Sequence, residues 1–353
     1  MTQPEFDNPS PGRYQRQELL PQIGPQGQQR LGQSRVLVVG CGALGSIVCE
    51  MLARGGVGFL RIVDRDLVEL SNLQRQTLFS ERDAADSLPK SIAAANRLRE
   101  INSQIQIDAV VADANAASVE RYADVDLIVD GTDNVATRYL LNDLAVKEGK
   151  AWIYGACVGM EGRVLGIWPG VTACLRCLFP EPPSAASLPT CDTAGVLGPA
   201  AAVVGAMQAA TAMRFLVEGE AAARQSPGLM AINVWTREFR SMASAATPVN
   251  GCACCTGRKF DFLSTKGMDF TTNLCGRRSV QVVRAAAGMI DLGMIARRWE
   301  KLGTIARSPW FVRCALSDPA GIDLTLFADG RLLVHGMTDP MRATSLYARF
   351  VGN

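Results

Sequence analysis

Apolar and polar positions alternate along the chain in a way that predicts strands and helices taking turns. A continuous aliphatic run at Val36–Val39, followed by glycine, is typical of a strand buried on both faces. A helix is expected over 43–54, because the pair Gly55-Gly56 ends it, and a second strand is expected over 59–63. The alternation continues with helices at 89–100 and 135–148 and with strands at 105–111, 127–129 and 151–154. This order predicts a doubly wound, mostly parallel Rossmann-like sheet.

The pattern changes after Val158. The run Gly162–Trp168, followed by Pro169-Gly170, predicts a strand and turn of antiparallel character, so the sheet is expected to continue into antiparallel strands. The proline-rich stretch 179–190 predicts a long irregular loop, which inside a compact domain usually has a functional role. The run Ala200–Val217 is almost entirely apolar, but it is short and rich in small residues. It therefore predicts a buried helix rather than a membrane span.

Residues 264–353 predict a small α/β appendix, which leaves residues 1–263 to the larger domain. Strands are expected at 279–283, 310–316 and 322–327, a helix at 291–302, and a closing helix that begins at Asp339-Pro340. The appendix carries more basic than acidic residues, which is compatible with docking of an acidic protein partner and equally with a solvated surface. It has no clear rhodanese active-site loop, so no sulfurtransferase activity is assigned to it.

Composition limits the classes of partner and of catalysis. The formal net charge is only +2, which provides no basic field for nucleic acid or for anionic lipid. The polar N-terminal segment lacks the apolar core of a secretory signal, so a cytoplasmic protein is expected. In that reducing compartment, 11 cysteines indicate metal binding rather than disulfides. The single histidine, His335, argues against catalytic triads and histidine-based metal catalysis.

A glycine fingerprint lies between the first predicted strand and helix. Gly40, Gly42 and Gly45 leave room for a phosphate group to approach the backbone N–H groups at the positive end of the helix. Asp64, at the tip of the next strand, is placed to accept hydrogen bonds from ribose hydroxyls. These residues predict nucleotide binding, and by themselves they favour NAD.

Polar residues further along the chain favour a triphosphate instead. Arg75 and Lys90 can neutralise its charge, Asn72 can donate a hydrogen bond to it, and Asp133 can hold Mg²⁺ through oxygen ligation. An NAD-dependent oxidoreductase has two phosphates to bind and needs neither these extra cations nor a metal-binding aspartate. The combination therefore predicts ATP and Mg²⁺ as ligands.

Two cysteine pairs predict a second, separate site. Cys174 and Cys177, and then Cys252 and Cys255, each have the two-residue spacing that lets both thiolates bind one tetrahedral ion. Four sulfur ligands without histidine are typical of a closed, structural Zn²⁺ site. Cys254 offers an alternative pairing, either with Cys252 or with Cys255, of poorer geometry.

The ordered set of motifs resembles the MoeB/ThiF family, the bacterial relatives of ubiquitin-activating enzymes, over about residues 13–261. The resemblance rests on Arg13–Gln17, the glycine loop, Asn72–Gln76, Lys90, Asp133 and the two cysteine pairs. It implies an adenylyltransferase that binds ATP and Mg²⁺ and activates the C-terminal carboxylate of a small ubiquitin-like β-grasp sulfur carrier ending in Gly-Gly. It also implies a homodimer in which Arg16 reaches the phosphates bound by the neighbouring subunit.

The resemblance further implies a loop that crosses over the adenylylation site and carries a cysteine used by some members as a sulfur nucleophile. Cys191 matches that cysteine, with an ordinary exposed loop thiol as the alternative. Cys275, beside Gly276-Arg277-Arg278, is a second candidate thiol. A separate sulfurtransferase is the other possible source of sulfur.

Several alternatives remain open at this level. The carrier can belong to molybdopterin, thiamin, cysteine or tRNA sulfur chemistry, or the chain can activate a bacterial ubiquitin-like protein for conjugation. An NAD-dependent oxidoreductase conflicts with Arg75, Lys90, Asp133 and the paired cysteines. A non-catalytic scaffold subunit conflicts with the retention of every phosphate-binding position.

Overall fold

The computed structural model describes residues 12–183, 191–226, 228–243, 247–264, 270–273, 278–284 and 289–352. The chain divides into two compact units. The first comprises Met1–Ala114, Arg121–Pro182 and Val196–Phe260, and the second comprises Asn115–Glu120, Pro183–Gly195 and Asp261–Asn353. The division into domains at residues 1–263 and 264–353 stays a prediction.

The helices and strands follow one another along the whole chain. The helices are α1 (Gln15–Glu18), α2 (Gly24–Gln33), α3 (Ala43–Gly55), α4 (Glu81–Ala85), α5 (Lys90–Ile101), α6 (Val135–Glu148), α7 (Leu175–Leu178), α8 (Cys191–Ala194), α9 (Gly198–Glu218), α10 (Glu220–Arg224), α11 (Leu292–Trp299) and α12 (Pro340–Phe350). The strands are β1 (Arg35–Val39), β2 (Phe59–Asp64), β3 (Gln106–Val111), β4 (Leu127–Asp130), β5 (Ala151–Val158), β6 (Glu161–Ile167), β7 (Leu229–Asn233), β8 (Glu238–Met242), β9 (Phe270–Asn273), β10 (Ser279–Val283), β11 (Gly303–Arg307), β12 (Phe311–Leu316), β13 (Asp323–Phe327) and β14 (Leu332–His335). Short 3₁₀ helices lie at Leu70–Asn72 and Val119–Tyr122.

The first unit contains an eight-stranded sheet in the order β3-β2-β1-β4-β5-β6-β7-β8. The strands from β3 to β5 run parallel, and β6, β7 and β8 continue the sheet in antiparallel pairs. Val39 stands opposite both Val63 and Asp130, so the carboxyl ends of β1, β2 and β4 meet at one edge. Ligands of open α/β sheets bind at such an edge. The predicted mixed parallel and antiparallel sheet is confirmed.

Two helices cover the centre of this sheet. Helix α3 ends as predicted, because Gly56 adopts the left-handed conformation (φ 83°) that a side chain disfavours. Helix α9 contacts α3 and the strands β5 and β6. By length and apolar composition α9 is the one described helix that could cross a membrane, but half of that stretch is buried within the protein. Its packing is that of a core helix, as the sequence predicted.

The second unit contains a six-stranded antiparallel sheet in the order β11-β12-β13-β14-β10-β9. One face of it is aliphatic and packs with α11 and α12 into a core of its own. The two helices meet where Trp299 Nε1 donates a hydrogen bond to the carbonyl of Phe350 at 3.0 Å. The predicted α/β appendix is therefore present. The sequence missed β9, β11 and β14, and the predicted helix ends at Trp299 rather than Leu302 because the chain turns there into β11.

Candidate nucleotide site and cysteine cluster

The glycine loop joins β1 to α3 at the edge where the parallel strands end. Gly40 has a positive φ of 85°, and its N–H donates to the carbonyl of Val63 at 2.8 Å. Gly42 precedes α3 and supplies no side-chain cap to the helix. The N–H groups of the first helical turn therefore have no side-chain acceptor and can bind an anion, which the positive end of the helix favours.

Protein packing requires glycine at positions 45 and 131 but leaves room for a side chain at position 42. A Cβ atom at Gly45 or at Gly131 would overlap the carbonyl oxygen of Gly40. A Cβ atom at Gly42 would meet Gln76 Nε2 at 3.8 Å and the carbonyl oxygen of Gly131 at 3.9 Å, which are ordinary van der Waals contacts. Since the protein itself leaves room at Gly42, the missing side chain there benefits a ligand that approaches the backbone.

Asp64 is fixed by two backbone groups at the tip of β2. Its Oδ2 accepts from the N–H of Cys41 at 2.6 Å, and its Oδ1 accepts from the N–H of Asp66 at 2.7 Å. Burial raises the pKa of Asp64, and the positive charge of Lys90 opposes that rise. A carboxylate has lone pairs to spare beyond these two bonds, so it can still accept from the hydroxyls of a ribose.

Lys90 is the first residue of α5 and is only 5% exposed. Its Nζ lies 3.2 Å from Asp66 Oδ2. Burial alone lowers the pKa of Lys90, but the carboxylates of Asp66 and Asp64 outweigh it and leave that pKa above its ordinary value. The lysine therefore keeps its charge in a buried position, where a charge acts strongly on a nearby phosphate.

Asp133 is exposed and directly precedes Asn134, the N-cap of α6. Its negative charge acts on Lys90 and on Arg138, and it helps to raise the pKa of each. Asp133 follows the end of β4, and Lys90 contacts Asp66 just after the end of β2, so both lie at the edge where the parallel strands end. Carboxylate oxygen is the donor that Mg²⁺ prefers, so this residue fits the predicted role.

A buried ion pair that the sequence did not predict holds the Asp133 turn. Asp130 is fully buried and accepts from the N–H and the Oγ1 of Thr132 at 2.8 and 2.7 Å. Arg138 Nε lies 3.3 Å from Asp130 Oδ2, and its Nη2 donates to the carbonyl of Thr132 at 2.7 Å. Gln208, a buried polar residue of α9, donates to the carbonyl of Asp130 at 2.7 Å. An acidic residue at the end of an apolar strand was the signal that could have revealed this pair.

Asn72 and Arg75 lie on a helical turn beside the glycine loop. Asn72 is buried, and its Oδ1 accepts from the N–H of Glu69 at 3.2 Å. Arg75 is half-buried, and its Nη1 donates to the carbonyl of Ser71 at 2.8 Å. Gln76, which faces Gly42, has a buried Oε1 without a hydrogen-bond partner among the described residues. A ligand donor at this position would satisfy that oxygen.

Arg16 is the one predicted phosphate-site residue that its own chain keeps away from the glycine loop. It is exposed on α1, and the neighbouring Gln17 donates through Nε2 to the carbonyl of Gly55 at 3.0 Å. Gly55 is the last residue of α3, whereas the glycine loop lies before its first residue. The helix has 13 residues, which at the usual rise corresponds to about 20 Å.

Four cysteine sulfurs converge in the first unit. Cys174 Sγ lies 3.7 Å from Cys252 Sγ, Cys177 Sγ lies 3.8 Å from Cys174 Sγ and 3.4 Å from Cys255 Sγ, and all four lie within 4.8 Å of one another. A tetrahedral zinc ion with bonds of about 2.3 Å needs sulfurs separated by about 3.8 Å. The cluster fits that geometry, and these four residues could hold a metal ion.

Cys254 is not one of the four converging sulfurs, although its side chain also forms a hydrogen bond with Cys174. Asn142 Nδ2 donates to Cys254 Sγ at 3.3 Å, whereas the N–H of Val249 donates to Cys177 Sγ at 3.4 Å. A hydrogen bond with Cys174, together with burial, raises the pKa of Cys177 to about 12, and burial raises that of Cys255 to about 12. With such raised pKa values, the thiols lose their protons near neutral pH only if a bound cation balances the charge of the thiolates.

The two remaining candidate thiols belong to other parts of the chain. Cys191 begins α8, in the second unit, and its side chain lies outside what the structure describes. Cys275 lies outside the described residues altogether. Both assignments stay predictions.

Comparison with known proteins gives the chain its relatives. Residues 14–254 match the ThiF family. The sulfur carrier protein ThiS adenylyltransferase of Bacillus subtilis (strain 168) is 40% identical over 343 residues, which cover 97% of this chain and 99% of that protein. The SAMP-activating enzyme E1 of Haloferax volcanii is 44% identical over 211 residues, which cover 59% of this chain and 77% of that protein.

Among solved structures, E. coli MccB with AMPCPP and MccA aligns with a TM-score of 0.60 at 22% identity and covers 69% of this chain and 74% of that chain. That likeness is one of fold. With the family match over most of its length and a relative aligned almost end to end, the chain belongs to the ThiF family.

Proposed function

We propose that this protein transfers the adenylyl group of ATP to the C-terminal glycine carboxylate of a small ubiquitin-like β-grasp sulfur carrier of the ThiS type, ending in Gly-Gly. The observation that carries the choice of carrier is the alignment with the B. subtilis ThiS adenylyltransferase, which at 97% of this chain takes in most of residues 264–353. The Haloferax SAMP-activating enzyme aligns with 59% of the chain. Activation of a ubiquitin-like protein for conjugation is the second candidate.

The arrangement at the sheet edge supports adenylylation. Asp64 accepts from the ribose, the N–H groups that follow Gly42 bind phosphate, and Asn72 donates a further hydrogen bond. An oxygen of the carrier carboxylate attacks the α-phosphorus, the bond from that phosphorus to the bridging oxygen breaks, and pyrophosphate leaves. Lys90 and Arg75 stabilise the charge that accumulates on the phosphate oxygens. A carboxylate is already ionised at neutral pH, so no general base is needed.

Asp133 is the residue that would hold Mg²⁺. The ion would neutralise the negative charge on the pyrophosphate oxygens. The buried pair of Asp130 and Arg138 keeps the Asp133 turn in place before any ligand arrives. Preorganisation of this kind lowers the cost of binding a charged substrate.

The active unit is a homodimer in this proposal. Arg16 lies about one helix length from the glycine loop of its own chain, because α1 is tied to the far end of α3. A second copy is the simplest way to bring an arginine from this position to bound phosphate. An arginine supplied by a neighbour serves phosphoryl chemistry in other enzymes.

The four-cysteine cluster is assigned to a structural Zn²⁺ ion held by Cys174, Cys177, Cys252 and Cys255. Four soft thiolates without an open position suit zinc and leave no place for a substrate. In zinc-finger peptides the metal contributes about 10 kcal/mol or more to folding. The metal is therefore expected to stabilise the fold.

The acyl adenylate can then react with a sulfur nucleophile. The thiolate of Cys191 can attack the carbonyl carbon of the adenylate, so that AMP leaves and a thioester forms. If the nucleophile is instead the persulfide of a sulfurtransferase, AMP leaves and an acyl disulfide forms, whose S–S bond an external thiol then reduces to release the thiocarboxylate. Each described cysteine with a placed side chain is free of a disulfide, which agrees with a cytoplasmic location. Neither nucleic acid nor a membrane has a place in this reaction.

The test is ATP–pyrophosphate exchange by the purified protein with a ThiS-type carrier. A carrier that lacks its terminal glycine is the matched control, because its fold is the same and the reacting carboxylate is displaced. Exchange is expected with the intact carrier and should be lost with the shortened one. Protection of the protein by NADH but not by ATP would instead favour an oxidoreductase, and the absence of exchange would favour a scaffold subunit.

A further inference from the structure

The order of the strands indicates on which side of the ribose the base of a bound nucleotide lies. Strand β2 stands between β1 and β3. The glycine loop that follows β1 is the candidate phosphate site, and Asp64 at the end of β2 is the candidate ribose ligand. A ribose carries its phosphate on C5′ and its base on C1′, at opposite sides of the ring. The base is therefore expected on the side of Asp64 that faces away from β1, at the end of β3.

The chain at the end of β3 leaves room for a planar ring. Val111, the last residue of β3, is paired with Asp64, and the N–H of Ala112 donates to the carbonyl of Asp64 at 3.2 Å. The residue that follows the strand thus carries only a methyl group. Ala112 is partly exposed, so this end of the strand can be reached from solution.

Arg65 connects the ends of β2 and β3. It directly follows Asp64, and its Nη1 lies 3.0 Å from Oδ1 of Asp113, two residues beyond β3. Asp66 Oδ1 lies farther away, 4.0 Å from Arg65 Nε. Burial alone lowers the pKa of Arg65, but the carboxylates of Asp113 and Asp66 outweigh that effect and raise the pKa. The arginine side chain is 23% exposed, so a ligand can still contact the guanidinium.

The contact with Asp113 is compatible with stacking. The N–H donors of a guanidinium point outward in its plane, so a carboxylate binds at the edge while an aromatic ring packs against a face. Arg35 shows this combination in the same unit. Its Cζ lies 3.8 Å from the centre of the Phe59 ring, and its Nη2 lies 3.1 Å from Asp124 Oδ2. An arginine with an aspartate at its edge therefore still stacks in this protein.

We propose that the guanidinium of Arg65, held by Asp113, stacks on the nucleobase of the bound nucleotide. The inference rests on the proposed function, which makes ATP the ligand at this edge of the sheet. A purine offers an electron-rich face on which a planar cation packs. Arg65 thereby binds the base, while Lys90 and Arg75 act on the phosphates.

The competing role for an arginine at this position is recognition of a phosphate on the ribose 2′-hydroxyl, as in NADP-binding sheets. Two observations favour the base. The carboxylate of Asp64 repels a 2′-phosphate, and the charge of Arg65 is already offset by Asp113 at 3.0 Å. Adenosine 2′,5′-bisphosphate distinguishes the two roles, because it adds the 2′-phosphate to AMP.

The test measures the binding of AMP and of ribose 5-phosphate, which lacks the base, by calorimetry without carrier. The variants are Arg65→Ala, Arg65→Lys and Asp113→Asn. Arg65→Lys keeps the charge and removes the planar group, so it separates pairing from stacking. The matched control is Arg35→Ala, which removes an arginine with the same kinds of contact at the other end of β1. Circular dichroism verifies the folding of each variant.

Arg65→Ala should weaken AMP binding about tenfold, the size of a lost base-stacking contact, and leave ribose 5-phosphate within about twofold of the wild type. Purine riboside 5′-monophosphate, which lacks the 6-amino group, should lose the same factor, because stacking uses the face of the ring. Arg65→Lys should stay at least about threefold weaker than the wild type for AMP. Asp113→Asn should lose less than Arg65→Ala, since the guanidinium remains. Arg35→Ala should change neither affinity.

The inference is overturned if Arg65→Ala binds AMP like the wild type, if AMP and ribose 5-phosphate weaken equally, or if Arg65→Lys restores full affinity. Tighter binding of adenosine 2′,5′-bisphosphate than of AMP, lost in Arg65→Ala, would assign the arginine to a 2′-phosphate instead. Carrier-dependent exchange by the wild-type protein tests the proposed function separately. Its absence would refute that function alone if the base-dependent affinity for AMP persists.

Discussion

Lys90 Nζ and Asp66 Oδ2 are 3.2 Å apart, and the lysine is almost fully buried. The carboxylate favours the charged form of the ammonium group. It does not use all of the hydrogen-bonding capacity of that group, because an ammonium group has three N–H donors. The free protein thus holds a desolvated positive charge beside the nucleotide site. Removing either side chain would leave the charge of the other without its partner.

Replacing Lys90 or Asp133 by alanine should abolish most of the exchange activity. Loss of a phosphate or metal contact typically costs about 3–4 kcal/mol of transition-state stabilisation, or a factor of 100 to 1,000. The measurement is kcat/KM for carrier-dependent exchange, with circular dichroism to verify folding. Lys301→Ala, which removes an exposed lysine, is the control and should keep full activity. Exchange retained in both alanine variants would remove these residues from the site.

Nucleoside binding should weaken at acidic pH through Asp64. Burial raises the pKa of this carboxyl, so it takes up a proton at a higher pH than an ordinary aspartate, and Lys90 limits the rise. Only the ionised form can accept from both backbone N–H groups and from a ribose. Affinity is therefore constant above the raised pKa and lost as pH falls through it.

Calorimetric titration with adenosine tests this, because adenosine has no phosphate group of its own to titrate. Asp64→Asn should bind more weakly and should show a flatter pH profile. The role of Asp64 would be contradicted by wild-type affinity in this variant, or by a profile that matches that of the wild type.

Metal analysis should distinguish Cys254 from its neighbours. Cys252→Ser and Cys255→Ser are expected to lose the metal, since each removes one of four converging sulfurs. Cys254→Ser should keep it, because the Cys254 sulfur is engaged by Asn142. Zinc per chain, measured by mass spectrometry of the metal, gives the answer. The reverse pattern would move the ligand assignment to Cys254.

Mixed dimers should reveal the role of Arg16. Neither an Arg16→Ala chain nor a Lys90→Ala chain should be active alone, yet a mixture contains heterodimers in which one site keeps both groups. Partial recovery of exchange after subunit mixing is the expected result, with an Arg30→Ala chain in place of Arg16→Ala as the control for mixing. A fully active monomer would rule out the arrangement.

Cys191→Ser should leave adenylylation intact and stop formation of the covalent adduct with the carrier. Adenylylation involves no thiol, whereas a thioester needs the sulfur at this position. Non-reducing electrophoresis and mass spectrometry detect the adduct, and hydroxylamine should remove it. If the adduct and sulfur transfer both persist in the variant, the nucleophile is Cys275 or a separate protein.

The parallel half of the sheet could be predicted because its signals are local. Buried strands such as β1 are aliphatic throughout, and the glycines at 55 and 56 mark the end of α3. Strand β8 was missed because all of Glu238–Met242 is exposed, so the alternation that marks a half-buried strand is lacking. The short strand β11 was missed for a similar reason.

The residues of the candidate site also differ in whether local sequence signals could predict them. Gly40, Asp64 and Lys90 follow strands or begin helices, so their convergence could be predicted from topology alone. The pair of Asp130 and Arg138 could not, because it depends on how one turn of α6 lies against the end of β4. The role given to Arg16 came only from family resemblance, since nothing local distinguishes it from other surface arginines.

The carbonyl oxygen of Gly40 lies where a methyl group at either Gly45 or Gly131 would have to be. Two positions far apart in the sequence are thereby constrained by a single backbone atom. A single substitution of either glycine would therefore clash with the backbone. A descendant that abandoned the nucleotide could change Gly42 freely, yet its glycines at 45 and 131 would persist as a record of the ancestral site.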